Sequence, residues 1–200
     1  MSEVKVDKIS PRSGTTFTLG DSGDTFDVPS GATLDVTGAT VTGLSAGKVL
    51  QVVNAVKSDT ASTNSGTAVT TGLEASITPS STSNKVLVFV SFGYGSDADI
   101  NPSFQLYRDS AAIHLGDAAG SRIRVSAGTR YQPNGAQIIQ ASINCLDTPS
   151  TTSSTTYKLM YFRGSTATSN YVFFNRSQND TDANSNKRTI SSITLMEIEG

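Results

Sequence analysis

The sequence predicts an all-β protein in two parts: a short N-terminal β segment over residues 1–46, and a β-sandwich or jelly-roll-like head over residues 47–200. Three observations predict it. No stretch sustains a helical period with caps at its ends. About eight alternating or β-branched runs recur at even spacing with turn residues between them, the pattern of a sandwich or jelly roll. Ser and Thr make up roughly a quarter of the chain and suit strand surfaces and turns better than helix interiors.

The first 46 residues read as short pieces punctuated by glycine: Thr16–Gly20, Thr25–Pro29 and Thr33–Val36. Gly31-Ala32-Thr33-Leu34 is echoed seven residues later by Gly38-Ala39-Thr40-Val41. Pieces this short bury almost nothing within one chain. They do not offset an ordering entropy of about 1–2 kcal/mol per residue. The segment is therefore expected to intertwine with other copies or to dock on a neighbour.

From Lys48 the runs lengthen. Lys48–Lys57 reads as a strand, with Val49, Gln51 and Val53 on one face and Leu50, Val52 and Val56 on the other. A Ser/Thr/Gly loop, Ser58–Gly66, precedes a second strand, Ala68–Thr78, and Pro79–Asn84 is a turn. Lys85–Tyr94 (KVLVFVSFGY) is continuously apolar and reads as buried on both faces. Ser103–Arg108 and Ala111–Leu115 form a hairpin across Asp109-Ser110. Arg122–Ser126 is a weaker strand, and Ala136–Leu146 a long alternating one. Thr156–Arg163 and Tyr171–Arg176 follow, separated by Gly164–Asn170, and Asn179–Lys187 is a polar loop. The final strand, Thr189–Glu199, alternates Ile193 and Leu195 with Met196 and Ile198. With both faces apolar it belongs at the centre of a sheet or at a subunit interface.

Composition excludes several functions. Net charge is −2 and only 16% of residues are charged. The closest basic grouping is Arg122, Arg124 and Arg130, so no nucleic acid is expected as partner. No run approaches the ~20 apolar residues of a membrane span, and no membrane partner is expected. The N-terminus lacks an apolar signal region, so the protein is expected to be assembled in the cytoplasm of its host. One histidine and one cysteine cannot assemble a zinc ligand set, and no cofactor and no metal is expected. Cys145 continues the alternating row Ile139, Ala141, Ile143 and reads as a small buried hydrophobe. His114 reads as a packed or surface strand residue.

Chemical motifs are weak. Gly43-Leu-Ser-Ala-Gly-Lys48 lacks one residue of a phosphate loop, and Val49 stands where Ser or Thr belongs. Asp97-Ala-Asp-Ile-Asn101 opens like a calcium loop, but Pro102 occupies its glycine and Arg108 its closing glutamate. Asn179-Asp-Thr-Asp182 is a similar, looser run, and the bland reading of both is a solvated turn. No catalytic residues are assigned, and the chain is read as non-enzymatic. The aromatic residues leave one opening. Tyr94, Tyr107, Tyr131 and Tyr171 fall near strand ends or loops, and Asp97, Asp99 and Asn101 share one of those loops. Tyrosine among short polar side chains offers a sugar a stacking face together with hydrogen bonds. These seven residues are the candidate receptor-binding set.

The opening Val4–Thr15 (VKVDKISPRSGT), Thr18–Phe26 (TLGDSGDTF), Val28–Leu34 (VPSGATL) and the ending Ser192–Gly200 (SITLMEIEG) resemble the ends of tail-fibre-like virion proteins of tailed phages infecting marine bacteria or cyanobacteria. The resemblance covers both termini, and the middle only in style. It implies a homotrimer located in the virion, at the phage tail or particle surface. It also implies attachment to other virion proteins through the N-terminal segment, an outward-facing head, and no catalytic residues. A tail fibre or fibre-like component contacting host surface glycans for adsorption is the expected function. The alternatives are a capsid decoration or tail-connecting protein without receptor binding, and a polysaccharide-degrading tailspike.

Overall fold

A computed structural model describes residues 13–16, 25, 27–37, 48–129, 137–164 and 169–200. The chain divides into two units, Met1–Leu44 and Ser45–Gly200. Among the described residues there is no helix.

In the first unit, residues 27–37 form no strand, which corrects the short strand expected over Thr33–Val36. Two local turns hold them instead. The Ala32 N–H donates to the Pro29 carbonyl at 3.0 Å, with Gly31 at φ +89°, a left-handed conformation that glycine adopts without steric cost. The Asp35 carboxylate accepts the Thr37 N–H at 2.9 Å. Both are contacts within a few residues, so this stretch buries little: Leu34 is 61% exposed and Val36 45%.

Among its described residues the second unit holds eleven strands: β1 (Val49–Lys57), β2 (Ala61–Thr63), β3 (Val69–Ile77), β4 (Lys85–Ser96), β5 (Pro102–Arg108), β6 (Ala111–Ile113), β7 (Ala127–Gly128), β8 (Ile139–Asp147), β9 (Thr155–Arg163), β10 (Val172–Phe174) and β11 (Ser191–Ile198). They form two antiparallel sheets packed as a sandwich. Sheet A runs β1-β11-β4-β8, with β10 and β2 continuing beside the far end of β4; sheet B runs β3-β9-β5-β6, with β7 also on β5.

Alternation decides which side chains meet. Val86, Val88, Val90 and Phe92 of β4 and Ile193 and Leu195 of β11 point inward from sheet A. They face Leu73 and Ile77 of β3, Phe104 and Leu106 of β5, and Tyr157, Leu159 and Tyr161 of β9. The Phe92 and Phe104 rings bridge the sheets with centroids 4.7 Å apart. Each such buried side chain contributes about 1.5–3 kcal/mol of hydrophobic stabilisation. Cys145 is buried on the inner face of β8. Burial raises its thiol pKa, and the Asp147 charge adds to the effect.

β11 lies between β1 and β4, the central position its two apolar faces demanded. β4 differs from expectation in its first part: Lys85, Phe89 and Ser91 are exposed on the outer face, and both faces are buried only over Gly93–Ser96. The expected strand at Arg122–Ser126 is also absent, and only β7 pairs there. The Gln105 side chain takes the Arg124 carbonyl at 2.7 Å and the Ser126 hydroxyl takes the Leu106 N–H at 2.9 Å, so side chains occupy groups that a ladder would have used. His114, after β6, is exposed with φ 53°.

Two residues fix where β10 joins β4. Asn175 is fully buried with φ 61° and bonds three segments. Gly95 lies against backbone: a Cβ there would sit 2.7 Å from the Arg176 carbonyl oxygen and 2.9 Å from Ser177 Cα. Because the obstacle is main chain, relief means moving the strand. We expect Gly95→Ala to cost about 1–3 kcal/mol, read as a lowered Tm in thermal unfolding.

Candidate functional site

Residues 97–101 after β4 meet residues 164 and 169–171, which flank β9 and β10. Backbone and amide groups clasp them together. The Asp97 N–H donates to the Tyr171 carbonyl at 2.9 Å, and the Asp97 carboxylate accepts the Tyr171 N–H at 2.7 Å. Asn170 donates to the Ala98 carbonyl at 2.7 Å. Asn101 donates to the Gly164 carbonyl at 3.1 Å, and its own carbonyl accepts the Gly164 N–H at 2.8 Å. Gly164 is required by this approach, since a Cβ there would lie 2.9 Å from the Asn101 carbonyl oxygen.

Asn101 also lines a shallow cleft of about 290 Å³, with Pro102, Ser103, Arg122, Ile123, Val125, Gly128, Thr129 and Gly164. Arg122 supplies a cation, Ile123 is 57% exposed, and Thr129 brings a hydroxyl. A short aromatic ladder stands on β10 in sheet A, on the side away from the core. The Tyr171 and Phe173 rings stack at 6.2 Å with planes 16° apart, and the Arg176 guanidinium lies 4.1 Å from the Phe173 centroid. Arg176 and Tyr171 thus hide Phe173 and leave the 39% exposed Tyr171 as the open ring. An exposed ring next to the Asn170 amide and the Asp97 carboxylate offers the stacking face and short polar groups that suit a polar, partly apolar ligand such as a sugar.

The structure sorts the candidate set. Asp97, Asn101 and Tyr171 come together in the clasp, with Asp99 exposed on the same loop at φ 63°. Tyr94 does not belong to a surface: it is 1% exposed, its ring lies 4.7 Å from Phe104, and its hydroxyl reaches Thr129 at 3.4 Å. The physical reason is that β4 continues to Ser96, so the position read as a strand end is strand interior. Tyr107 is half-buried on the outer face of sheet B, paired with Lys158, about 17 Å along β5 from the clasp at ~3.4 Å per residue. Tyr131 lies outside the described residues.

Sequence reasoning missed Phe173, Arg176 and the cleft residues Arg122, Ile123 and Thr129. The alternation Tyr171-Val172-Phe173-Phe174 carried a signal, because it puts Tyr171 and Phe173 on one face while Val172 and Phe174 enter the core. The cleft carried none, since it joins segments far apart in the chain.

Other polar clusters are internally satisfied. Asp180, in the second calcium-like run, is held by Arg188 through two contacts at 3.0 and 2.9 Å; those bonds lower its pKa. Asp147 accepts from Arg108 at 2.9 Å and from the Tyr157 hydroxyl at 2.6 Å. Burial first, then the bonded Asp147, pushes the Tyr157 phenol far above its usual range. Among the described residues, no group of three His, Cys, Asp or Glu side chains is placed to hold a metal ion. No protein-family model matches this chain, and no curated protein matches it either.

Proposed function

We propose that the chain is a non-catalytic virion structural protein of a tailed phage, a homotrimeric tail fibre or fibre-like component with a jelly-roll-like head. Its N-terminal segment docks on other virion proteins, and its head contacts host surface glycans. The observation that carries this reading is the bared N-terminal stretch. Val28, Leu34 and Val36 are 36–61% exposed in the described stretch 27–37, which forms no strand or helix. A segment that returns so little apolar burial for its ordering cost gains order from a neighbour. The resemblance of both termini to tail-fibre-like proteins supports the particle as that neighbour.

The glycan part rests on the exposed Tyr171 ring at the clasp. Weak sites repeated on three chains gain avidity without new contacts. On a glycan array, the full chain should bind a restricted set of host envelope saccharides. We expect Tyr171→Ala to weaken that binding about tenfold, near the upper end of a single stacking contact, and Tyr94→Phe to leave it unchanged. Detection of the chain in purified particles without glycan binding supports the decoration or connecting role instead. Release of reducing ends from host polysaccharide contradicts the non-catalytic reading, and absence of the chain from purified particles contradicts the virion assignment.

A further inference from the structure

The outer face of sheet A is apolar where a free sheet is expected to be polar. Register places Val52 opposite Met196, Met196 opposite Leu87, and Leu87 opposite Leu146. One continuous row of four apolar side chains therefore crosses β1, β11, β4 and β8. All four point away from the core, and Val52 and Leu146 are 56% and 55% exposed. Phe89, 38% exposed, stands in the next row between Thr194 and Asn144. An antiparallel sheet with one face in water normally alternates apolar inward with polar outward, and a contiguous apolar patch of this kind marks an interaction site.

We infer that this face of β1-β11-β4-β8 is the surface through which the chain packs on a second copy of itself. Two properties select a copy as the occupant. The first is charge: among the outward residues of these strands only Lys85 is charged. On one side of the apolar row lie Asn54-Thr194-Phe89-Asn144 and then Val56-Ser192-Ser91-Ser142, and on the other Ile198 stands opposite Lys85. Amides and hydroxyls both donate and accept, so such a face is complementary to itself and repels none of its own copies. The second is area. Four strands about 4.8 Å apart, each contributing roughly 25 Å of length, present a plane of about 500 Å². The side chains corrugate that plane, which brings its accessible area towards the ~800 Å² per partner of a stable protein interface.

The inference deepens the trimeric reading proposed above, and the test separates the two. The full chain is compared by light scattering with Val52→Glu, Leu146→Glu and the double variant. Glu74→Lys, on the exposed outer face of sheet B, serves as control. Both test positions are more than half exposed, so the variants should keep the parent circular dichroism and Tm of the separated head. The expected result is a multi-chain parent and control, with the double variant shifted to single-chain mass. Folded variants that keep the parent mass overturn the assignment of this face and leave the trimeric reading standing. A two-chain parent dissociated by the variants upholds the face and overturns the trimer. A single-chain parent overturns both.

Discussion

Replacing Asn175 by aspartate is expected to lower the stability of the head by about 4 kcal/mol or more, the cost of a buried charge left without a partner. Asn175 is fully buried. Its amide donates to the Lys57 carbonyl at 2.8 Å and to the Asp59 carbonyl at 3.0 Å, and its side-chain oxygen accepts the Ser191 hydroxyl at 2.5 Å. Its backbone N–H reaches the Gly93 carbonyl at 2.8 Å, and its carbonyl takes the Thr189 N–H at 2.9 Å. One residue thus ties the exit of β1, the middle of β4 and the start of β11 together. A carboxylate keeps the Ser191 bond but sets negative oxygen against two carbonyl oxygens. Asn175→Ala removes the donors without adding charge and is expected to cost about 2–4 kcal/mol. Because φ is 61°, Asn175→Gly should recover about 1 kcal/mol of that loss. Urea unfolding at one fixed protein concentration ranks the three. Equal stability of the aspartate and alanine variants at neutral pH contradicts the account.

The second large effect lies at Glu197. Its side chain points into the sandwich from β11 and is 1% exposed. It accepts from the Ser80 N–H at 2.6 Å, the Ser80 hydroxyl at 2.8 Å and the Asn84 amide at 2.6 Å, with the Gln51 amide on its other oxygen. No cation is among these partners. Burial alone pushes the carboxyl up, but the bonds from Gln51, Asn84 and Ser80 together outweigh it and hold the pKa at about 2. The unfolded chain has the ordinary value of 4.5 and binds the proton more tightly. The stabilisation is therefore complete above about pH 4.5 and is lost as pH falls through about 2. Glu197→Gln presents an NH₂ group to neighbours that are themselves donors. It should cost about 2–4 kcal/mol at pH 7 and should flatten the acid limb between pH 4.5 and 2. A variant whose stability still follows the parent through that window removes Glu197 as the source of the acid dependence.

How much of this was legible in the sequence follows from how local each feature is. Period-two alternation gave β1, β3, β8, β9 and β11 within a few residues, because a strand's inward row is written in its own sequence. The same rule puts Glu197 in line with Ile193 and Leu195, although nothing in the last strand names Ser80 and Asn84 as its partners across the fold. The apolar run Lys85–Tyr94 misled in the other direction. Continuous hydrophobicity reads as burial on both faces, yet Phe89 is bared. That mismatch is what the proposed packing of this face on a second copy accounts for. The stretch 122–126 failed as a strand because Gln105 and Ser126 side chains compete with the ladder for backbone groups, a tertiary matter that propensity does not carry. The site was legible only in part. Tyr171, Asp97 and Asn101 meet because two loops clasp, Tyr94 is lost to the core because β4 continues past it, and the cleft with Arg122 depends on long-range packing alone.

The exposed stretch 27–37 and the bared face of sheet A make the same physical demand. Among the described residues, both leave apolar surface in water, at about 25 cal/mol per Å². The most direct test of that demand is sedimentation equilibrium of the unmodified full chain across a dilution series. A three-chain mass that persists to micromolar protein is the expected result. A folded single chain at every concentration, with its apolar face open to solvent, contradicts it.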